Sequence, residues 1–301
     1  MKPYLLRLHR WIALAFALPL LAVVLSGGLL SIEPWLQRAR PGQSFDQAAI
    51  STALARHDPD GKATGLTVRT FDQVMTVSGL GPGRAVHIRL PSGEAVEQTA
   101  LARWLGTARQ LHERLLLDLG WLVVASTIAM ALTLILGALM GWPRLRNSLG
   151  GWHSTGAWLL LPLLGLSTLT GLAIAFGISF LPPDGPRPER VAIRDAVAMI
   201  ARDHDLADLT SLRTRGGRQI ARIYVGDRLT NFVVTKSGLR LTGMNWPRAL
   251  HEGNWHARIG SIINLAVSLA LLGLWGTGLA IWLKRRLRKR QRPARAKALP
   301  A

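Results

Sequence analysis

Four long apolar segments organise the chain and predict four membrane-spanning helices. Each is at least about 20 residues long, the length an α-helix needs to cross a bilayer, and none contains a charged side chain. The segments are residues 12–32, 119–142, 154–181 and 259–283. Basic residues precede the first segment, as they do in a secretory signal peptide. Its apolar stretch is longer than the usual signal core and no small-x-small cleavage site follows it, which favours an uncleaved anchor.

The two long connections, residues 33–118 and 182–258, contain patterns of mixed α and β structure. Each begins with a helical pattern, which is followed by alternating runs and turn-forming residues. The first has a helix at 45–57, strands at 65–70, 74–78 and 85–90, and a turn at 91–93. The second has a helix at 191–204, strands at 219–225 and 231–235, and a turn at 236–238. We therefore expect two small α+β domains between the spans.

The order of span, α+β domain and span occurs twice. An offset of 144 residues pairs His9 with His153 and Gly27 with Gly171, and an offset of 140 aligns the even-numbered spans. Both copies keep the same orientation, so the sequence predicts a parallel duplication about an axis along the membrane normal. The expected fold class is a membrane α-helical protein, with a four-helix bundle and two small α+β domains.

The basic residues are distributed unevenly. Lys and Arg outnumber Asp and Glu by 37 to 17, and 14 of these bases lie in residues 1–10, 143–152 and 284–301, which contain no acid. Basic residues beside spans mark the cytoplasmic face. We therefore expect a multi-pass membrane protein, with both termini and the loop 143–153 in the cytoplasm and both domains facing outward. The run 284–290 directly follows a span, which favours a lipid-surface anchor over a nucleic-acid-binding tail.

The chain contains no cysteine. This excludes disulfides, thiolate zinc sites, iron–sulfur clusters and covalently attached haem, so any haem must be held non-covalently by His or Met. The sequence also lacks a nucleophile elbow, a zinc-protease helix and a phosphate-binding loop. No charged residue inside a span marks an ion path, which disfavours a transporter.

Each half of the chain carries a histidine beside a tryptophan, and a hydroxyl–glycine pair follows at the same spacing. His9 precedes Ser26-Gly27 and His153 precedes Thr170-Gly171, with 18 residues from each histidine to its glycine. Because 18 helical residues rise roughly 27 Å, each histidine is expected at the cytoplasmic face. Two imidazoles at matched depth suggest a shared haem iron. Ser26 and Thr170 are expected to bond to backbone carbonyls or to a neighbouring helix.

A second histidine pair precedes the even-numbered spans. His112 and His251 each lie in a Leu-His-Glu triplet at the outer interface, one from each repeat, which makes them candidates for an outer haem. His256 is the alternative to His251, because Gly260 one turn later would leave room for a porphyrin. The two side chains lie about 140° apart on a helix and cannot both reach one iron; the shared triplet favours His251. An interfacial histidine can also be a simple polar residue at the headgroups. Ordinary surface positions are expected for His57, His87 and His204.

Short motifs connect these histidines to a known family. They are His9-Arg10-Trp11 with Leu25-Ser26-Gly27, Trp152-His153 with Leu169-Thr170-Gly171, Leu250-His251-Glu252-Gly253, Pro91-Ser92-Gly93-Glu94 and Lys236-Ser237-Gly238. With these motifs in duplicated order, the chain resembles the PepSY-associated transmembrane helix family over nearly its whole length, except the basic tail. It departs from the pattern at Ser154-Thr155, which replaces the basic–aromatic pair that follows His9.

The resemblance implies a di-haem ferric siderophore reductase of the inner membrane with PepSY-like periplasmic domains. Carried over by residue, His9 and His153 would ligate an inner haem b, and His112 and His251 an outer haem b. The substrate would be a periplasmic ferric siderophore or another ferric complex, and the electron donor a quinol or a cytoplasmic reductase. The alternative is a non-redox accessory or regulatory membrane protein that binds a periplasmic partner.

Overall fold

A computed structural model describes residues 2–39, 45–181, 188–215 and 217–296, and the chain divides into two units. The helical unit comprises Met1–Leu30, Thr107–Phe176 and Asn264–Ala301. The sheet unit comprises Ser31–Gly106 and Gly177–Ile263. Each unit therefore draws on both halves of the duplicated sequence.

The helices and strands follow the duplicated order. The helices are α1 (Lys2–Ala15), α2 (Ala17–Leu30), α3 (Glu33–Arg38), α4 (Gln47–His57), α5 (Ala100–Arg114), α6 (Gly120–Leu139), α7 (Leu149–Ala175), α8 (Ile193–Asp203), α9 (Trp246–Glu252) and α10 (Ala257–Ala296). The strands are β1 (Gly65–Arg69), β2 (Val74–Ser78), β3 (Ala85–Arg89), β4 (Glu94–Ala95), β5 (Leu209–Arg215), β6 (Arg218–Val225), β7 (Arg228–Thr235) and β8 (Gly238–Gly243).

Four helical stretches are long and apolar enough to cross a membrane, as the sequence predicts. They are Ala17–Arg38, Gly120–Leu139, Leu149–Ala175 and Ala257–Arg288. Together with the antiparallel sheet, they confirm the predicted fold class of four membrane helices with α+β structure outside the spans.

The first predicted span, residues 12–32, is interrupted between α1 and α2 at Phe16. Pro19 has no backbone N–H and cannot bond to the carbonyl four residues earlier, that of Ala15, so one helical hydrogen bond is missing there. The bonds from Phe16 N–H to Ile12 and from Leu20 N–H to Phe16 remain, at 3.2 and 3.0 Å. The indole Nε1–H of Trp275 in α10 donates to the carbonyl of Ala17 at 2.9 Å, just after the break. This bond joins helices from the two halves of the chain.

The third span begins earlier than its apolar segment. The Ser148 side chain accepts from the N–H of Gly151 at 3.1 Å and caps α7, which starts at Leu149. A hydroxyl at this position satisfies one of the four N–H groups that a helix start leaves unpaired. His153 therefore lies inside α7, just as His9 lies inside α1.

The sheet unit is built on one antiparallel sheet of eight strands. Their order is β4-β3-β2-β1-β5-β6-β7-β8, so each half of the chain contributes one side. The equivalent strands β1 and β5 pair at the centre, where Leu66 is opposite Leu212. Two equivalent strands that pair antiparallel are related by a two-fold axis between them. The expected α+β elements are present in both halves, and they join into a single sheet.

A shared hydrophobic core explains why the two halves fold as one unit. One face of the sheet packs against α4 and α8, and the core contains residues of both helices and of both halves of the sheet. Leu66, Leu212, Ile50 of α4 and Ile200 of α8 are all fully buried. The buried face of the sheet runs across the pairing of β1 with β5, so each half covers only part of this core.

Gln219 holds the start of α8 against β6, which generates a test of the core. Its side-chain amide donates to the Val191 carbonyl at 2.6 Å and its carbonyl accepts from the Val191 N–H at 2.8 Å, all in a buried setting. Gln219→Ala leaves both backbone groups unpaired, so we expect a loss of about 1–3 kcal/mol in the free energy of unfolding. Thermal unfolding in detergent measures it. Gln47→Ala, at an exposed helical position, is the control; equal loss in both variants contradicts the assignment.

Candidate functional site

The two inner histidines make matching contacts in the helical unit. His9 Nδ1 lies 3.0 Å from the carbonyl oxygen of Thr133 in α6. His153 Nδ1 lies 2.8 Å from Oγ1 of Thr277 in α10. In both repeats the partner is a threonine 124 residues further along the chain. Each odd-numbered span is thus joined to the even-numbered span of its own repeat through a histidine.

These contacts fix which ring nitrogen carries the proton. A carbonyl only accepts, so His9 Nδ1 must donate to Thr133. Thr277 directs its single hydroxyl hydrogen at the carbonyl of Gly273, at 2.8 Å, and so presents only a lone pair to His153. Both imidazoles are therefore held with the proton on Nδ1 and an electron pair on Nε2. A neutral imidazole in this state is a metal ligand, and an N–H bonded to a carbonyl or other acceptor is the usual arrangement behind it.

The two inner histidines lie close to each other, and each has a glycine beside its ring. His9 lies near enough to His153 for the two rings to interact electrostatically. A Cβ added to Gly137 would lie 3.9 Å from Cε1 of His9, and one added to Gly278 would lie 3.4 Å from Cε1 of His153. A side chain at either glycine would therefore touch the imidazole on the neighbouring helix. The structure brings together the two residues that the sequence paired.

Two polar atoms near the inner pair have unmet hydrogen-bonding capacity. Arg10 Nε and Thr155 Oγ1 are buried without a hydrogen-bond partner within the described part of the chain. Arg10 directly follows His9, and Thr155 lies two residues after His153. A buried donor without a partner is costly and usually has a ligand, ion or water as its partner.

His112 is held by the Ser26-Gly27 pair at the end of the first span. Its Nδ1–H donates to the Val23 carbonyl at 2.9 Å, and Ser26 Oγ lies 3.4 Å from the same nitrogen. A Cβ at Gly27 would lie 3.0 Å from Cε1 of His112, tighter than most real side-chain contacts, so the histidine ring would have to shift slightly. The glycine that marks the sequence repeat therefore makes room for the histidine of the next span. The sequence had connected this glycine only with His9.

The hydroxyls of the two hydroxyl–glycine pairs behave as predicted. Ser26 Oγ donates to the Ala22 carbonyl at 2.7 Å, and Thr170 Oγ1 donates to the Leu166 carbonyl at 2.8 Å. Bonds of this kind satisfy a hydroxyl inside an apolar helix.

His251 lies at the same point as His112 in the order of elements, in the helix before an even-numbered span. His112 lies in the last turn of α5, which precedes α6, and His251 lies in the last turn of α9, which precedes α10. His112 belongs to the helical unit and His251 to the sheet unit. The alternative residue, His256, lies between α9 and α10 beside Trp255, with Nε2 3.9 Å from Asp227.

Gly260 has a structural role that removes the argument for His256. A Cβ at Gly260 would lie 2.1 Å from the carbonyl oxygen of Gly253, which ends α9 in the left-handed conformation at φ 76°. The glycine is thus required by the close approach of two backbone segments and is not evidence of space for a porphyrin.

A charged network holds α9, the helix that carries His251. Glu252 accepts from Arg248 at 2.7 Å and from Arg222 and Asn254 at 2.9 Å each. Asn245 caps the start of the helix through the N–H of Arg248 at 3.1 Å. The glutamate and glycine of the Leu-His-Glu-Gly motif are therefore structural and hold the backbone that follows His251, while the Asn245 cap holds the start of the helix before it.

The three remaining histidines have structural partners in the sheet unit. His57 Nε2 lies 3.0 Å from the Gly93 carbonyl, and His204 packs on Phe232 with ring centroids 5.1 Å apart. His87 Nδ1 lies 2.9 Å from Thr76 Oγ1. Within residues 2–39, 45–181, 188–215 and 217–296, no group of three or more His, Asp or Glu side chains could hold a bare metal ion.

The fold and these contacts define a multi-pass membrane protein with four spans and a duplicated antiparallel sheet. Residues 6–285 match the family described as the PepSY-associated TM region. The chain belongs to this family. No curated protein matches it.

The contact between Gly260 and Gly253 can be tested by substitution. Gly260→Ala forces the two backbone segments apart, so we expect a loss of about 1–3 kcal/mol in the free energy of unfolding. Gly106→Ala is the matched control, because a Cβ there meets nothing within 4 Å and alanine favours helix. Thermal unfolding of both variants measures the effect. A Gly260→Ala protein as stable as Gly106→Ala would contradict this account.

His87 gives the stability of the sheet unit a pH dependence. Burial, together with the charge of Arg69, lowers the pKa of His87 below its ordinary value of 6.5. The unfolded chain then binds its proton first as the pH falls, so the unfolding free energy is full above about pH 6.5 and decreases below it. We expect a shallower decrease between pH 7 and 5 in His87→Gln, measured by denaturant unfolding. Parallel curves for the two proteins would refute the prediction.

Proposed function

We propose that this protein is a b-type di-haem electron-transfer protein that carries electrons across the inner membrane and reduces a periplasmic ferric complex, such as a ferric siderophore. The observation that carries the proposal is the inner histidine pair. His9 in α1 and His153 in α7 lie on helices that both pack against α6, interact electrostatically, and both present an Nε2 electron pair. Membership of the PepSY-associated family is consistent with it.

The donor set fits a haem better than a bare metal ion. Two imidazoles are too few for a metal ion without other ligands, whereas a porphyrin supplies four nitrogens and needs only two axial ligands. Glycines beside both rings keep side-chain bulk away from the imidazoles. The buried Arg10 Nε and Thr155 Oγ1, which have no partner within the described residues, could donate to the propionates of a haem.

When bound, haem b supplies a one-electron Fe³⁺/Fe²⁺ couple. The chain's own contribution is to orient the imidazoles, keep their Nδ1 protons bonded and surround them with apolar helices. His112 and His251 are the proposed outer ligands. Their similar positions in the last turns of α5 and α9 favour His251 over His256.

The proposed route takes electrons from the cytoplasmic side to the periplasm. A quinol, which gives two electrons and two protons on oxidation, or a cytoplasmic reductase is the proposed donor. Each electron would convert one ferric ion to ferrous iron at the periplasmic face. Reduction weakens a ferric complex because Fe²⁺ is a weaker Lewis acid than Fe³⁺ and binds hard oxygen ligands less tightly.

The proposal predicts the absorbance of the purified protein. Full-length protein expressed with haem precursor should show b-type bands in the dithionite-reduced minus oxidised spectrum. His9→Ala and His153→Ala should each lose about half of the bound haem, because each removes an axial ligand of one of two sites. His57→Ala is the control, since its ring bonds to Gly93 in the sheet unit. His251→Ala should lose the other half, and His256→Ala should not.

Three outcomes would contradict the proposal in different ways. Folded, haem-replete wild-type protein without b-type bands would overturn the redox function and favour the accessory or regulatory alternative. Full haem retention in His9→Ala and His153→Ala would overturn the inner ligands alone. Loss of haem in His256→Ala with retention in His251→Ala would exchange the outer ligand.

A further inference from the structure

We propose that Thr277 is a positioning residue that makes the two inner ligands unequal and sets the reduction potential of the inner haem. This inference rests on the proposed haem function. It starts from a difference between two otherwise matching contacts: His153 bonds to a side-chain hydroxyl as well as to the main-chain carbonyl of Leu274, whereas His9 bonds to a main-chain carbonyl.

The two threonines are equivalent in the repeats but are used differently. Thr133 and Thr277 are 144 residues apart, the same offset as His9 and His153. Each hydroxyl donates to the carbonyl four residues earlier, at 2.7 Å to Ala129 and 2.8 Å to Gly273. Only the hydroxyl of Thr277 also accepts from a histidine, at 2.8 Å.

The hydroxyl of Thr277 controls the electron density of His153. Its own hydrogen is directed at Gly273, which makes it an acceptor for Nδ1–H. The Leu274 carbonyl, which only accepts, is a second hydrogen-bond partner of the same imidazole. A bonded Nδ1–H makes Nε2 a more basic ligand, which stabilises ferric over ferrous iron and lowers the potential. Loss of the hydroxyl weakens this effect at His153 and leaves His9 unchanged.

The same substitution at the two equivalent positions separates this effect from packing. Thr277→Val removes the hydroxyl 2.8 Å from His153 Nδ1 and leaves only the Leu274 carbonyl, whereas Thr133→Val keeps the main-chain carbonyl that His9 uses. We expect Thr277→Val to move the potential of one haem component to a more positive value and to lower haem affinity about 10-fold or more. Thr133→Val should retain both wild-type components, and Thr277→Ser, which keeps the hydroxyl, should restore them. Redox potentiometry and haem titration of full-length protein in detergent provide both measurements.

A second measurement works without haem. In haem-free protein labelled with ¹⁵N-histidine, the ring nitrogen shifts should report His153 protonated at Nδ1, and Thr277→Val should change them while Thr133→Val does not. Identical potentials, affinities and shifts in the two valine variants would overturn the inference. Haem-free wild-type protein would overturn the proposed function itself, and the ¹⁵N shifts would still decide whether Thr277 positions His153.

Discussion

An imidazole placed among apolar helices must find a partner for its N–H within the protein, because lipid offers none. His9, His153 and His112 meet this requirement in the same way, each through Nδ1 and an acceptor on another helix. The bonds connect α1 to α6, α7 to α10, and α5 to α2. One constraint on three side chains thus links three pairs of helices and leaves each Nε2 as the nitrogen that can meet a ligand.

The duplication also determines how the sheet unit forms its hydrophobic core. Its central pair, Leu66 and Leu212, is fully buried and belongs to a core that helices of both halves cover. The outer end of the proposed electron path depends on this unit, since His251 lies on a helix that the Glu252 network ties to β6. A loss of packing in the sheet would therefore be expected to disturb His251 more than His9 or His153.

Local patterns made most of the elements predictable. Apolar length identified the spans, and a short run rich in β-branched residues gave the bounds of β2 as Val74–Ser78. The strand β5 was missed because its sequence, Leu209–Arg215, is mostly polar, and its conformation depends on pairing with β1 and β6. The short helix α9 was missed because it is held by a cap and a charged network rather than by an apolar stripe.

The candidate histidines were readable from the sequence, and their partners were not. The contact of His153 with Thr277 spans 124 residues and depends on helix packing. The sequence does contain a sign of this contact, since Thr133 and Thr277 share the offset of the two histidines. The offset of 140 residues, which aligns the ends of the even-numbered spans, does not pair these threonines. Gly260 shows the opposite error, because a glycine one turn from a histidine suggested ligand space and is explained by contact with Gly253.

The antiparallel pairing of β1 with β5 has a consequence for how the protein could change over evolutionary time. Two identical single-repeat chains that met through this strand would form a symmetric dimer, in which every residue has the same surroundings in both copies. Joining the copies in one chain removes that obligation. A substitution can then alter the acceptor behind one histidine and leave its twin untouched. Covalent fusion thus turns two sites that had to be identical into two that can be adjusted separately.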